Sequence, residues 1–303
     1  MMFIGIDISK EKIDLSWLRD QLTNKIKTKV FKNKHRDFLE IEKWLLNTTK
    51  SAASELVITL EPTGVYHEAL MYFLHEQGFN IILANPGKAK KYADALNIIH
   101  KTDKSDATML AHYGCAKHAV VDYWQPEALE VRELKALIRR LDALESNRQR
   151  EANRLDANEF SNVSARVCQS IKVTIAFLDD EIKQLKSDID NHIDNEPGLK
   201  RNRKLLESIP GIGHVLSREL TYLFAAKKFN KAKEAAAYCG LIPRHNESGK
   251  LKGRTTISKL GPARIRCKLY MAAIVAGQWN KRIKRHKLTL INNGKTPMQA
   301  VCA

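Results

Sequence analysis

Residues 3–10 of the chain are Phe-Ile-Gly-Ile-Asp-Ile-Ser-Lys, an apolar run that holds a single carboxylate. A short apolar run of this kind predicts a buried β-strand from Phe3 to Ile8. Because side chains alternate along a strand, Asp7 faces the side opposite to Ile6 and Ile8. A carboxylate in so apolar a strand needs a partner, so Asp7 is the first candidate functional residue.

Outward from this strand, the front third of the chain alternates strand and helix patterns. Ile13, Leu15 and Trp17 alternate with polar positions, and residues 25–31 alternate again, which predicts two further strands beside the first. The next elements are predicted to be a helix at 35–48, a buried strand at 56–60, a helix at 66–77 and a strand at 80–84. This order is typical of an α/β ribonuclease-H-like domain, which we assign to residues 1–124.

From Pro126 the pattern changes to long helices. Apolar residues recur every three or four positions in a second segment: Ile171, Ile175, Leu178, Ile182, Leu185, Ile189 and Ile193. This spacing predicts a helical coiled-coil segment over residues 125–198. The segment is either an internal helical hairpin or a homodimer seam, because the sequence does not distinguish the two.

Positive charge is concentrated in the last third of the chain. The formal net charge is +17, and residues 201–303 hold 22 Lys and Arg against 4 Asp and Glu. Such a concentration predicts a polyanionic partner, with a merely soluble basic surface as the alternative. We expect a cytoplasmic protein with no membrane partner, because no apolar run approaches the roughly 18 residues of a membrane span. Five scattered cysteines without a CxxC pair suggest neither disulfides nor a zinc site.

Three further acids could join Asp7. Glu61 follows the buried strand and precedes Pro62, and Asp103 and Asp106 start a helix at a spacing that places both on one face. Four converging carboxylates repel one another unless cations lie among them, and hard oxygen ligands favour Mg²⁺ or Mn²⁺.

Each acid also has an ordinary explanation. Asp103 could be only a helix N-cap, Asp106 a first-turn acid and Glu61 an exposed loop residue. Asp14 is set aside, because it lies on the polar face of the second strand between Ile13 and Leu15.

Four motifs of the chain together resemble those of a known protein family. They are Gly5-Ile6-Asp7-Ile8-Ser9-Lys10, Glu61-Pro62-Thr63-Gly64, Asn85-Pro86 and Lys101-Thr102-Asp103-Lys104-Ser105-Asp106-Ala107. The chain resembles the DEDD transposases of bacterial insertion sequences, a family that includes Piv-type DNA invertases and bridge-RNA-guided recombinases. The resemblance implies a RuvC-like front domain whose metal-binding acids are Asp7, Glu61, Asp103 and Asp106.

Residues 199–303 are predicted to form a mostly helical domain. The stretch from Leu206 to Val215 fits a helix-hairpin-helix that could hold a DNA phosphate through Gly211, Gly213 and His214, although a plain helical turn would also explain it. Thr296-Pro297 predicts a helix start so close to Ala303 that a truncated or frayed terminus is possible.

Residues 240–261 resemble the second motif block of the same family. The family places a serine nucleophile before a glycine, which corresponds to Ser248, although a loop serine in a Ser-Gly turn is the alternative. Ser258 is the rival serine, which we expect to cap or pack a helix. The predicted phosphate-binding residues nearby are Arg244, Lys250, Lys252, Arg254 and Lys259.

The sequence therefore predicts a metal-dependent transposase or site-specific recombinase that cleaves and rejoins DNA. Its expected partners are double-stranded DNA, a further copy of itself in a homodimer or homotetramer and, by resemblance alone, a structured guide RNA. The alternatives are a Holliday-junction-type nuclease, a DNA invertase and a non-catalytic DNA-binding protein.

Overall fold

The structure, a computed structural model, describes residues 1–20, 23–62, 64–96, 102–161, 164–245, 247–248, 251–252 and 255–303. The chain divides into two units, Met1–Pro126 and Glu127–Ala303. The further division at residue 198 stays a prediction.

The first unit is built on a five-stranded mixed sheet. Its strands are β1 (Met2–Ile8), β2 (Lys12–Asp20), β3 (Lys25–Lys32), β4 (Leu56–Leu60) and β5 (Asn80–Leu83). The strand order is β3-β2-β1-β4-β5. β1, β2 and β3 pair antiparallel, whereas β1, β4 and β5 pair parallel. The three adjacent strands and the later pair predicted from the sequence are therefore confirmed.

Four helices cover the two faces of this sheet. They are α1 (His35–Thr49), α2 (Glu68–Glu76), α3 (Pro86–Ala95) and α4 (Asp103–Lys117). Ile4 and Ile6 of β1 point to the face packed by α1 and α2. Phe3 points to the opposite face, which packs against α3 and α4. The two-residue period of the strand thus separates two cores and leaves Asp7 on the α4 side.

Close backbone contacts hold α4 against the sheet. A Cβ added to Gly5 of β1 would lie 1.8 Å from the Ala107 carbonyl oxygen and 2.4 Å from the Ala111 nitrogen. A Cβ on Gly114 would lie 2.1 Å from Thr59 Oγ1 of β4. Only glycine fits at these two points, so α4 lies directly on β1 and β4, and its first turn is fixed in position.

The second unit begins with a helical hairpin. Its helices α5 (Leu129–Ser161) and α6 (Ala165–Asn195) run antiparallel. Two hydrogen bonds show this: Arg148 Nε lies 2.7 Å from Asp179 Oδ1, and His192 Nε2 lies 2.7 Å from the Glu130 carbonyl oxygen. Leu178, Ile182, Ile189 and Ile193 of the predicted seam are buried in a cluster that includes apolar residues of α5. The seam is paired within the chain, which favours the internal hairpin over the homodimer alternative.

Short helices and two small strand pairs make up the rest of this unit. The helices are α7 (Pro197–Glu207), α8 (His214–Ala226), α9 (Ala232–Tyr238), α10 (Ala263–Trp279), α11 (Lys281–Asn292) and α12 (Pro297–Cys302). The strands, which the sequence did not predict, are β6 (Pro243–Arg244), β7 (Glu247–Ser248), β8 (Leu251–Lys252) and β9 (Thr256–Ile257). β6 pairs with β9 and β7 with β8, both antiparallel. Thr296 caps α12 as predicted.

A buried ionic network joins the hairpin to these helices. Glu219 of α8 is 6% exposed and accepts hydrogen bonds from Arg264 Nε at 2.9 Å and from Lys268, both on α10. Arg264 also binds Glu145 of α5 at 2.8 Å. Every helix in the described part of the chain is too short or too polar to span a lipid bilayer.

We predict that Gly5→Ala lowers the free energy of unfolding by at least about 2 kcal/mol, because the added methyl group forces the α4 backbone away from β1. Urea unfolding followed by tryptophan fluorescence measures this change. Gly198→Ala is the matched control, since a Cβ there meets nothing within 4 Å. Equal unfolding curves for Gly5→Ala and Gly198→Ala would contradict the packing argument.

Candidate active site

Asp7 lies near the carboxyl end of β1, on the face that α4 covers. In the antiparallel register it lies directly opposite Asp14 of β2. Asp14 is buried, with 7% of its surface exposed. Because directly opposed residues of an antiparallel pair point to the same face, β1 and β2 set two carboxylates side by side.

Glu61 directly follows β4, the parallel neighbour of β1. Ile6 pairs with Leu60, so Glu61 comes level with Asp7 along the sheet. Glu61 is half-buried and comes two residues after Thr59, whose side chain faces α4. Parallel strands end at one edge of a sheet, where open α/β folds build their sites. Glu61 and Asp7 therefore lie at the same edge.

Asp103 and Asp106 lie in the first turn of α4. The helix is capped by Thr102, whose Oγ1 accepts a hydrogen bond from the Ser105 nitrogen at 3.1 Å. Ser105 Oγ accepts one in return from the Thr102 nitrogen at 2.8 Å. Because Thr102 is the N-cap, the capping explanation for Asp103 is wrong. The spacing of three residues places both carboxylates on one side of α4.

The pKa of Asp7 reflects both its burial and the charges around it. Burial raises the pKa of Asp7 from its ordinary 3.8 to about 6, and the negative charges of Asp103, Asp106 and Asp14 add to the rise. A hydrogen bond from the Ile8 backbone opposes it. Two of the three predicted partners, Asp103 and Asp106, therefore lie near enough to Asp7 for their negative charges to raise its pKa.

Lys12 supplies positive charge to the same cluster. Its ammonium nitrogen lies 3.2 Å from Asp14 Oδ2 and forms a second ion pair with Asp103. These contacts raise the pKa of Lys12 above its ordinary value, with the Asp103 hydrogen bond as the largest cause and the Asp14 hydrogen bond next. Within the described ranges, no three His, Cys, Asp or Glu side chains are arranged to hold a metal ion.

The predicted phosphate-binding turn lies between α7 and α8. Gly211 has φ +104°, and a Cβ there would lie 2.7 Å from the Ala272 carbonyl oxygen of α10, so this glycine permits close packing. His214 Nδ1 lies 3.0 Å from Glu207 Oε1, which also accepts a hydrogen bond from Ser217 Oγ at 2.7 Å. A carboxylate therefore already lies beside the first turn of α8, where a phosphate would bind.

Gly213 differs from Gly211. It is the N-cap of α8, and a Cβ there would meet nothing within 4 Å.

Ser248 lies on the second of the two small strand pairs. It pairs with Leu251 across the β7–β8 hairpin and is exposed. Its rival Ser258 is half-buried, and its Oγ accepts a hydrogen bond from the Leu260 nitrogen at 3.3 Å. This contact lies in the segment between β9 and α10, and the N-cap of α10 is Pro262, so the expectation that Ser258 caps a helix is wrong.

The basic residues predicted around Ser248 are only partly described. Arg244 and Lys259 are both exposed, and Lys259 has φ +55°. The backbone of Lys252 belongs to β8. Lys250 and Arg254 lie outside the described residues, as do Thr63 and Lys101 of the front motifs.

Helix α11 presents the densest positive charge. Its basic residues are Lys281, Arg282, Lys284, Arg285, His286 and Lys287. Residues 248–303 contain no Asp or Glu, which leaves this helix without acidic partners from its own segment. Asn280 begins the helix by accepting hydrogen bonds from the Arg282 and Ile283 nitrogens at 3.1 and 3.2 Å. Trp279, immediately before it, is 75% exposed.

Two family models match the chain. The model for DEDD transposases of the IS110 type, described as Transposase, matches residues 4–158, which include all four predicted acids. The chain belongs to this transposase family. A second model, described as Transposase IS116/IS110/IS902 family, matches residues 203–287, which include Ser248. The resemblance indicated by the sequence motifs is confirmed.

Two curated relatives are similar to the transposase over almost its whole length. They are the pilin gene-inverting proteins of Moraxella bovis and Moraxella lacunata. Each is 30% identical over 308 residues, which cover 99% of this chain and 91% of the relative. Membership of a family of transposases and DNA invertases implies that the chain cleaves and rejoins DNA strands.

Sequence reasoning missed two residues of the transposase's acidic cluster. Asp14 was set aside as a polar-face residue, whereas the structure buries it opposite Asp7. Lys12 is not predicted from the sequence. The short turn that pairs Ile8 with Ile13 fixes the register, and this register is the signal that could have found both residues.

We predict that the cluster makes the transposase less stable as pH rises through the titration range of Asp7. Its pKa is higher in the folded chain, about 6 against 3.8, so the folded state binds more protons between pH 4 and 6 and loses stability as they leave. In metal-free buffer Asp7→Asn should therefore melt at a higher temperature than wild type above pH 6, and the difference should shrink towards pH 4.

Melting curves at several pH values measure this effect. Asp94→Asn, at an exposed position on α3, is the control and should keep the wild-type pH profile. The burial argument fails if Asp7→Asn and Asp94→Asn give the same profile.

Proposed function

We propose that this transposase cleaves and rejoins DNA in a divalent-metal-dependent reaction in which Asp7, Glu61, Asp103 and Asp106 hold Mg²⁺ or Mn²⁺. The observation that carries the proposal is that Asp103 and Asp106, in the first turn of α4, lie near enough to Asp7 for their negative charges to raise its pKa. Neighbouring carboxylates repel one another unless a cation lies among them, and a purely carboxylate donor set suits hard ions.

We propose further that the first unit has a ribonuclease-H-like, RuvC-like fold. Two features support this assignment: the strand order β3-β2-β1-β4-β5, with antiparallel pairs on one side and parallel pairs on the other, and helices on both faces. Asp7 and Glu61 lie where the two central strands end, and α4 carries the other two acids across that edge. Bound Mg²⁺ would stabilise charge on the attacking and leaving oxygens of a phosphodiester.

The proposed nucleophile is Ser248. Its Oγ would form a bond to phosphorus while the bond from phosphorus to a sugar oxygen breaks, and the hydroxyl proton passes to that departing oxygen. The new ester conserves the phosphodiester energy, so strands can be rejoined without an external energy source. The exposure of Ser248 on β7 supports this role, because an exposed hydroxyl is accessible to a DNA phosphate.

The proposed DNA-binding residues include Arg244, Lys259 and the basic helix α11. Their support is the excess of positive charge in residues 201–303, which favours backbone contacts over base recognition. Lys250, Lys252 and Arg254 remain proposed contacts on the sequence alone. Among the turn residues, Gly213 and His214 keep a proposed phosphate contact, whereas Gly211 has a packing explanation in the structure.

Two partners follow from the family and the surface. A structured guide RNA is proposed from the resemblance to RNA-guided recombinases. A homodimer or homotetramer is proposed because the α5–α6 hairpin exposes apolar side chains in the half that contains the connection between the two helices. Phe160, Val173 and Phe177 are exposed there at 95%, 60% and 61%.

DNA inversion is the second candidate function. The observation that favours it is the similarity to the two pilin gene-inverting proteins over 99% of the chain. Transposition excises or inserts a segment, whereas inversion reverses one between paired sites. A plasmid that carries both arrangements, sequenced after incubation with the protein, Mg²⁺ and its candidate RNA, separates the two products.

We predict that Ser248→Ala abolishes the covalent protein–DNA adduct, because the nucleophilic oxygen is gone. Denaturing gels of the reaction with labelled DNA measure the adduct. Ser258→Ala is the matched control and should keep it, since that hydroxyl already accepts the Leu260 hydrogen bond. An adduct that persists in Ser248→Ala places the nucleophile elsewhere.

We predict that Asp7→Asn and Asp106→Asn lower strand cleavage by more than ~100-fold, because losing even a group that hydrogen-bonds a metal ligand costs about 10- to 100-fold. DNA binding, measured by gel shift in parallel, should stay within about twofold because the basic surface is unchanged. Asp94→Asn is the control on the same unit. Wild-type cleavage by either variant would refute the metal role.

A further inference from the structure

The position of Lys12 is fixed by a tight turn between β1 and β2. Ser9 Oγ donates to the Lys12 carbonyl oxygen at 3.1 Å, and the Ser9 and Lys12 nitrogens donate across the turn at 2.9 and 3.2 Å. Asn33 Nδ2 donates to the Ser9 carbonyl oxygen at 2.9 Å. The backbone at Lys12 is therefore fixed by hydrogen bonds, and its side chain points towards the acidic cluster.

Asp14 holds the ammonium group of Lys12 in place. A carboxylate that is 7% exposed is costly without a counter-charge, and Lys12 supplies that charge at 3.2 Å. Lys12 and Asp14 are two residues apart on one strand, so both side chains point to the Asp7 face. In this position the Lys12 ammonium also forms an ion pair with Asp103, one of the proposed metal ligands.

We propose that Lys12 is a built-in counter-ion of the acidic site, which neutralises Asp103 until a divalent ion enters and which must release Asp103 for that ion to bind. Asp14 acts as its anchor and keeps Lys12 beside the site afterwards. This inference rests on the proposed function of the four acids. Lys12 and Asp14 are positioning residues under this proposal, because they act through Asp103.

The physical consequence is a lowered affinity for metal. The ammonium competes with the ion for Asp103, and after release its positive charge still repels a divalent cation nearby. A unit charge about 5 Å from a divalent ion costs roughly tenfold in affinity even when the interaction is screened as in water. Loading of the site would then depend on the concentration of Mg²⁺.

The test is Mn²⁺ binding by the full-length chain without DNA, measured by titration calorimetry. We expect Lys12→Met to bind Mn²⁺ about tenfold more tightly than wild type, and Lys12→Arg, which keeps the charge, to stay within about threefold. Lys10→Met is the matched control and should change affinity by less than about twofold. It removes an equal charge from the same turn, and Lys10 forms no ion pair within the described part of the chain.

The outcomes separate the two proposals. Binding by wild type with no gain in Lys12→Met overturns the counter-ion role and leaves the metal site standing. No binding by either protein overturns both. A gain of equal size in Lys10→Met also overturns the counter-ion role, because only the net charge would then matter.

A second measurement applies if Lys12→Met fails to fold. Acetylation of wild-type lysines, followed by mass spectrometry, should be at least about threefold faster at Lys12 when Mn²⁺ is added, with Lys10 unchanged, because release from Asp103 frees the amine. An unchanged rate at Lys12 overturns the proposal.

Discussion

The close contact of α4 with β1 is the constraint on which the acidic site depends. Gly5 has no side chain, so the Ala107 carbonyl oxygen occupies the space where a Cβ would be. Asp7 lies two residues after Gly5 on the same face of β1, and Asp103 lies one turn before Ala107 in α4. The packing of a glycine therefore determines where carboxylates from two distant parts of the chain meet.

This arrangement has an electrostatic cost, because it places several carboxylates near one another. Burial raises the pKa of Asp7 to about 6, and the negative charges of Asp103 and Asp106 in the first turn of α4 add to the rise. Lys12 relieves part of the repulsion through Asp14 and Asp103. Under the proposed function a divalent ion would relieve the remaining repulsion, so the same side chains that lower stability would serve the reaction.

The sequence predicts the elements of the first unit well, because their signals are local. The period of two in β1 to β3 and the apolar run of β4 indicate strands without reference to the rest of the chain. The burial of Asp14 was not predicted, because it depends on the β1–β2 register and on the coverage by α4, which are tertiary features. Strands β6 to β9 were missed because pairs of two residues have no period to detect.

The candidate site likewise has one part that the sequence predicts and another that only the tertiary structure shows. The four acids are predicted from motifs; in the structure the charges of Asp103 and Asp106 raise the pKa of Asp7, and Glu61 follows the end of the neighbouring strand. The most direct measurement is a crystal structure with Mn²⁺, located by its anomalous scattering. The account predicts an ion about 2.0–2.2 Å from carboxylate oxygens of Asp7 and Asp106. A protein that takes up Mn²⁺ elsewhere, with Asp7 uncoordinated, would contradict it.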